Sequence, residues 1–326
     1  MTSKAWWTML LLALGLVLHL LLGEVSMGWS EWMQAIVGKS TSSLHSVVLW
    51  EIRIPRALTA ISAGILLGWL GMLMQTWFRN PLAGPSVLGI TSGGSLGVAM
   101  SVLLGLAFPA WMAAAGGCLL VLGLIGLGAK RFASPVTTLV FGLMISYAVG
   151  ATVTVLQSSA SAESLQTFVF WGMGTFGKAT LNQATICLIA VMILGGWLFW
   201  RASWLDMWTL GEDLAQTMGV PRSRLQSEIL LLTGLMVGLV TSICGPLAFL
   251  GLATPHVYRF FHAPRSHRAA MLGIGVWGAV LALAADGLVR WTDANGGFHW
   301  PLNAVLAMLG APVVVMVLWK RNHDWS

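Results

Sequence analysis

The chain has 326 residues, 57% of them hydrophobic and only 9% charged, with a mean hydropathy of +0.82; soluble domains carry roughly 25% charged residues, so a soluble globular fold is excluded. The net charge of +6 does not describe a nucleic-acid surface, because the basic residues stand in ones and twos at the ends of apolar runs, where membrane topology places them. Those runs continue from end to end without a linker or low-complexity segment, so residues 1–326 read as a single membrane domain.

A membrane-crossing helix needs roughly 20 predominantly apolar residues. Ten runs qualify, at about 5–22, 57–77, 87–106, 111–129, 136–156, 184–200, 227–244, 246–261, 269–289 and 302–319. This predicts an all-α polytopic membrane protein. The first run follows Lys4 as a signal peptide would, but it lacks a small-residue cleavage site and is read as a span. The eighth is short and contains Pro246 and Pro255, so its backbone is predicted to be broken or kinked and to need protein or water around it.

Ten spans put both termini on one side. With the N-terminus inside, Lys4, Arg79, Lys130, Arg131, Arg201, Arg222, Arg224, Arg259, Arg265, Arg268, Lys320 and Arg321 lie inside, against Lys39, Arg53, Arg56, Lys178 and Arg290 outside. The positive-inside rule therefore predicts cytoplasmic termini. Trp6, Trp200, Trp291 and Trp319 near span ends fit interfacial belts. The moderately polar outer segment 157–179, with Gly172, Gly174 and Gly177, reads as a partial or surface-lying helix.

Two segments interrupted by Gly and Pro occupy corresponding places in the two halves. One runs from Asn80-Pro81-Leu82-Ala83-Gly84-Pro85 through Gly89 to Ser95, the other from Gly245-Pro246 through Gly251 to Pro255-His256. Each follows a long apolar run entered through an arginine, Arg56 or Arg224. Five spans per half then give two halves of inverted topology, a pattern of transporters.

One polar segment, 201–226, carries complete helix signals of its own. Thr209 and Glu212 have capping-box spacing, Leu210, Leu214 and Met218 recur every four residues, and Gly219 with Pro221 supplies a stop. A helix this short cannot fold alone. Its apolar stripe is expected to rest either on the membrane domain or on another protein.

Few residues suggest chemistry. Asp286 is the acid set deepest in a span, with Arg290 four residues on, which predicts a local ion pair or a hydrogen-bonded carboxylate fixing helix packing ahead of a direct transport role. His256, His262 and His267 have spacings that do not share a helix face, so surface or structural roles are expected over a metal site. Cys118, Cys187 and Cys244 stand singly in apolar surroundings and read as packing residues. No nucleophile–base pattern and no phosphate-binding glycine loop with lysine is present, so the chain is not expected to hydrolyse ATP or to bind a cofactor or metal of its own. Arg53-Ile54-Pro55-Arg56 holds two guanidinium groups near the outer surface, either snorkelling to headgroups or serving a purpose that offsets the topology rule. An ion-gradient secondary transporter and a membrane-embedded enzyme remain rival classes, the latter short of a catalytic cluster.

Together these residues resemble the FecCD family of ABC importer permeases, which move vitamin B12, iron siderophores and haem inward across the bacterial inner membrane. The resemblance rests on Arg53-Ile54-Pro55-Arg56 with Gly64 and Gly71, on Gln75 and Phe78 to Ala83, on Leu88-Gly89, and on Leu210-Gly211-Glu212 through Gly219-Val220. It continues through Gly245-Pro246, Phe249 to Leu252, Pro255-His256, Ala285-Asp286 and Gly310-Ala311-Pro312, so it spans nearly the whole chain.

The resemblance implies a type II ABC importer permease fold, a second permease chain (identical or paralogous), two ATPase subunits that use ATP and Mg, and a periplasmic binding protein. It implies ATPase coupling by Leu210, Gly211, Glu212, Asp213, Ala215, Gly219, Val220, Arg222 and Arg224. It further implies binding-protein docking at Arg53, Arg56 and Arg290, and a cytoplasmic gate at Asn80 and Leu82 with a second gate region near Ser134, Pro135 and Val136. A proline in that region departs from the small hydroxyl residues of some relatives, and Ala253-Thr254 replaces a pair that is often apolar. Iron siderophore is the first expected cargo, with haem and cobalamin behind it.

Overall fold

The computed structural model describes residues 3–21, 44–106, 108–132, 134–294 and 300–323. Those residues form twelve α-helices and no strand. The helices are α1 (Ser3–Leu21), α2 (Leu44–Trp77), α3 (Ile90–Leu103), α4 (Ala110–Arg131), α5 (Pro135–Ser158) and α6 (Ala162–Gly172). After them come α7 (Leu181–Thr209), α8 (Glu212–Thr217), α9 (Arg222–Cys244), α10 (Leu250–Phe261), α11 (His267–Ala294) and α12 (Leu302–His323). Each predicted run has its helix, and α6 and α8 are the two short additions. Lys39 lies outside the described residues, as do the side chains of Lys4, Trp6, Lys320 and Arg321. Trp291 and Trp319 are largely exposed near helix ends, as interfacial residues would be, whereas Trp200, also exposed, lies within α7.

α2 is the axis of the bundle. From Ala57 to Trp77 it is buried on nearly every side, which is what a helix apolar all round requires. Pro55 lacks an N–H, and its ring would clash with the carbonyl four residues back. The turn before it, Val48–Arg53, is correspondingly wound as a π-helix. Small residues then let other backbones approach α2. A Cβ on Gly64 or on Gly278 of α11 would fall on the other's carbonyl oxygen, and a Cβ on Gly71 would fall on that of Gly251 in α10.

Contacts at the helix ends fix the directions. The end of α1 meets the start of α2 and the end of α11 through His19, Arg56 and Asp286. At the opposite end of the bundle the last turns of α2 and α7 meet through Trp77 and Trp208. α1 and α7 therefore run in opposite directions, as do α2 and α9, whose start is tied to the α7 end by Glu228 and Arg201. This is the inverted relation of α1 to α5 and α7 with α9 to α12 expected from five spans per half.

The two interrupted segments are breaks in the membrane domain. After α2 the chain leaves helical geometry, makes a 3-10 turn at Pro85–Leu88 and re-enters as α3. After α9 it is irregular from Gly245 to Phe249, where Phe249 has φ 61. The polar groups of this second break are satisfied by α12. The Asn303 side chain accepts from Ala248 N at 3.0 Å and donates to the carbonyls of Pro246 at 2.5 Å and Gly172 at 3.0 Å. Thr175 N donates to Cys244 O at 2.8 Å, so the segment after α6 also packs on the break. Without such partners each buried group would cost several kcal/mol in a bilayer, by order of magnitude. The breaks pack on each other as well, with Gly251 against Pro85 and the His256 ring donating from Nε2 to Pro81 O at 2.8 Å.

Candidate functional site

The polar hairpin between α7 and α9 is built differently from its sequence signals. α7 continues through Thr209, whose hydroxyl donates to Asp206 O at 2.6 Å, so Thr209 does not cap the next helix. Gly211 is the cap residue instead, at φ 126, a conformation that favours glycine. α8 is only six residues long and ends before Gly219 at φ 91. The predicted capping box fails because Glu212 turns to Arg222 across the hairpin, with N···O 2.5 Å.

Burial separates the faces of this element. Ala215 and Val220 are buried and hold it to the bundle, whereas Leu210, Leu214 and Met218 are 62%, 51% and 51% exposed. The apolar stripe therefore does not rest on its own chain. Asp213 and Arg224 are both exposed.

The base of the hairpin is clamped. Glu228 accepts two bonds from Arg201, at 2.8 and 2.7 Å, one from Arg224 at 2.9 Å and one from Trp197 Nε1 at 3.0 Å. The Arg201 guanidinium also lies 3.9 Å from the Trp204 ring centroid, a cation–π contact. On the other flank, His267 Nδ1 donates to Asp206 at 2.6 Å while its Nε2 accepts from Thr76 at 2.8 Å. These bonds tie the α7 terminus to α2, α9 and α11.

The segment expected to form the cytoplasmic gate, with Asn80 and Leu82, leaves the same place. Trp77 stacks on Trp208, and two residues later Arg79 adopts φ 48. Asn80 Oδ1 accepts from Leu82 N at 2.9 Å, closing a tight side-chain turn with both residues exposed. Ser134 caps α5 in extended geometry, Pro135 takes the first helical position and Val136 is exposed. The 3-10 turn packs on α5, because Gly142 approaches the Leu88 backbone closely.

At the opposite end, Arg56 forms a bidentate pair with Asp286 at 2.7 and 2.9 Å, and His19 Nε2 donates to the same carboxylate at 2.7 Å. Asp286 is thus the hydrogen-bonded carboxylate that fixes helix packing, the second of the two expected arrangements, and not the local partner of Arg290. Arg290 instead donates to His19 O at 2.5 Å, and Arg53 donates to Leu20 O at 2.7 Å. The carbonyls at a helix C-terminus have no partner within the helix and attract cations, so two buried guanidiniums are satisfied while they fix α1. Arg53 and Arg290 are 2% and 7% exposed and Arg56 17%, so the three are not equivalent surface cations. Sequence reading missed His19 and Asn303; a polar residue within each of the first and last apolar runs was the available signal.

The three histidines do not converge. His256 serves Pro81, His262 stacks on Tyr258 at 4.8 Å, and His267 serves Asp206 and Thr76. All three cysteines are buried and free.

The model of the FecCD transport family matches residues 11–320. The chain belongs to the FecCD transport family. Among its relatives, the vitamin B12 import system permease protein BtuC of Salmonella typhi is 31% identical over 95% of this chain and 93% of the relative. That of Citrobacter koseri is 30% identical over 96% and 93%. A solved structure described as an inward-facing conformation of a metal-chelate type ABC transporter superposes with TM-score 0.84 at 25% identity, covering 97% of this chain and 98% of that one. PsaBC of Streptococcus pneumoniae shares the fold alone, with TM-score 0.54 at 16% identity. The FecCD chain described here is thus an ABC importer permease, with the type II importer architecture of two inverted five-helix halves.

Proposed function

We propose that two copies of this chain, or this chain and a close paralogue, enclose a pathway across the bacterial inner membrane with both termini in the cytoplasm. Two ATPase subunits dock on the α8 hairpins and a periplasmic binding protein delivers a metal chelate to the far end. The carrying observation is the exposed stripe of Leu210, Leu214 and Met218 on a hairpin that is otherwise pinned to the bundle. A six-residue helix with its apolar side turned outward is a poor fold by itself and a good handle. ATP and Mg are used by the partner subunits, and this chain supplies the path and the switch of access side.

The α2 start is the binding-protein face in this reading. Arg53 and Arg290 hold α1, whereas Arg56 keeps Nη1 unbonded and is the most exposed of the three, so it is the one placed to receive an incoming carboxylate. An exposed ion pair contributes only about 0 to 1 kcal/mol, which suits orientation and encounter more than tight holding. Asn80 and Leu82 form the cytoplasmic gate, with residues 134–136 behind them.

For cargo, the metal-chelate class is supported by the superposed transporter and by the B12 permeases among the relatives. Within that class the iron siderophore expected from sequence and the cobalamin of those relatives are the two arms of the test. Proteoliposomes holding the permease and its ATPase, with the binding protein outside, should take up one of the two labelled chelates only when ATP is enclosed. Uptake driven by an ion gradient without the ATPase would sink the proposal.

A further inference from the structure

Beside the hairpin lies a recess that none of the assignments above uses. It has two adjoining parts, with volumes of about 350 and 220 Å³, which share Thr76, Thr209 and Arg259 as lining. One wall is the end of α2 and the gate segment, another is the last turn of α7, and the third is the connection from α10 to α11. Thr209 on its rim is the residue before Leu210, so the recess opens next to the exposed stripe of the hairpin.

Its charge is one-sided. Arg79, Arg259 and Arg265 line it, and Asp206 is the only carboxylate among the lining residues. Asp206 is already engaged, accepting from both the backbone N and Nδ1 of His267 at 2.8 and 2.6 Å. Arg259 is held in place by Gln75 Oε1 at 2.7 Å, a neutral acceptor that leaves its charge uncompensated. Arg79 and Arg265 are exposed and make no ion pair with another described residue. A concave site lined by one sign of charge between low-dielectric walls concentrates the field and draws the opposite sign. The guanidinium fork matches the geometry of a carboxylate or a phosphate.

We infer that this recess receives an acidic side chain of the ATPase subunit that docks on α8, so that the docking face joins the apolar stripe to a cationic socket. The inference rests on the proposed docking of an ATPase. Position favours a protein carboxylate over a lipid headgroup, since a body resting on Leu210, Leu214 and Met218 lies across the mouth of the recess. The socket also touches the gate segment directly, through Arg79 and Pro81. An acid seated there would be read by the gate as well as by the hairpin.

The test uses the full-length permease in nanodiscs and the ATPase subunit that co-purifies with the wild-type chain from its host membranes. Charge reversal at Arg79→Glu and Arg265→Glu, singly and together, should weaken ATPase binding on the order of tenfold or more at low salt. The salt dependence of binding should flatten in the double variant, because the screened attraction is gone. Arg265→Gln should show a smaller loss of the same kind, and it lies in a loop where a folding defect is least expected. Unchanged affinity and salt slope in the double variant would overturn the inference. So would native mass spectrometry showing an anionic lipid bound to the wild type and lost from the variant with ATPase affinity intact. If no ATPase binds the wild-type chain, the proposed function fails first, and the inference fails with it.

Discussion

Trp77 and Trp208 stack with ring centroids 4.4 Å apart and planes 13° from parallel, and the Trp208 indole N–H donates to Trp77 O at 3.1 Å. Both are fully buried. One closes α2 immediately before the gate segment, and the other closes α7 immediately before the hairpin. If α8 is the docking element proposed above, a push on it would reach the segment after Trp77 through this aromatic contact. Trp208→Phe keeps a ring in the stack and removes the hydrogen bond, at about 1 kcal/mol. It should leave insertion and ATPase binding intact while raising the ATP hydrolysed per chelate transported. An unchanged ratio in proteoliposomes would remove the contact from the coupling route.

The Arg56–Asp286–His19 cluster sets a different expectation. Asp286→Asn leaves the part-buried Arg56 guanidinium without its counter-charge, a loss of about 3–5 kcal/mol for a fully buried pair and smaller here because Arg56 keeps some access to solvent. The thermal transition of the purified permease should fall clearly. Arg56→Leu with Asp286→Leu removes both charges and should lose less than Asp286→Asn alone. Equal losses would mean that the pair is not what Asp286 provides.

Glu228 gathers four bonds at the base of the hairpin. Glu228→Gln loses the charge-assisted ones, each about 1.5–3 kcal/mol. The hairpin should then open more often, read as faster trypsin cleavage at Arg222 and Arg224 under native conditions. The fold around α2 should keep its thermal transition, and a global drop without faster cleavage would contradict the clamp.

Asn303 carries the irregular backbone between α9 and α10. Asn303→Ala strips partners from Ala248 N and from the carbonyls of Pro246 and Gly172. An unsatisfied buried group costs about 1–3 kcal/mol. Amide exchange across 245–249 should accelerate before any other segment. Asn303→Asp, which keeps only the acceptor, should protect Ala248 N and fail to restore the two carbonyl bonds.

Hydropathy made the ten spans legible because lipid demands a long apolar run wherever a helix crosses. It stopped short at α7, which runs nine residues past the predicted end at Trp200, to Thr209. The extension carries Arg201, Asp206 and Trp208, and each is held by a residue distant in sequence that no local pattern reveals. Partner choice was hidden for the same reason. Arg290 stands one turn from Asp286, yet the carboxylate goes to Arg56, 230 positions away, because α2 and α11 meet at their glycines and bring those side chains together. The capping-box spacing of Thr209 and Glu212 was real, but Arg222 offered Glu212 a charge. The Gly/Pro breaks were readable as breaks, since few other sequences interrupt a span, while the asparagine that satisfies one of them came from another helix.

The last turn of α1 is tied to α2 and α11 by side-chain bonds, and many of its other side chains face outward. The bond from His19 to Asp286 spans 267 positions of chain. At roughly 5–20 residues per second, a ribosome takes on the order of ten to fifty seconds to deliver the second partner after the first. For that interval α1 is held by its hydropathy and by Arg53, which follows Leu20 by 33 positions. The bond to Asp286 forms only after α11 has been made, so the order of synthesis is written into which residues hold α1.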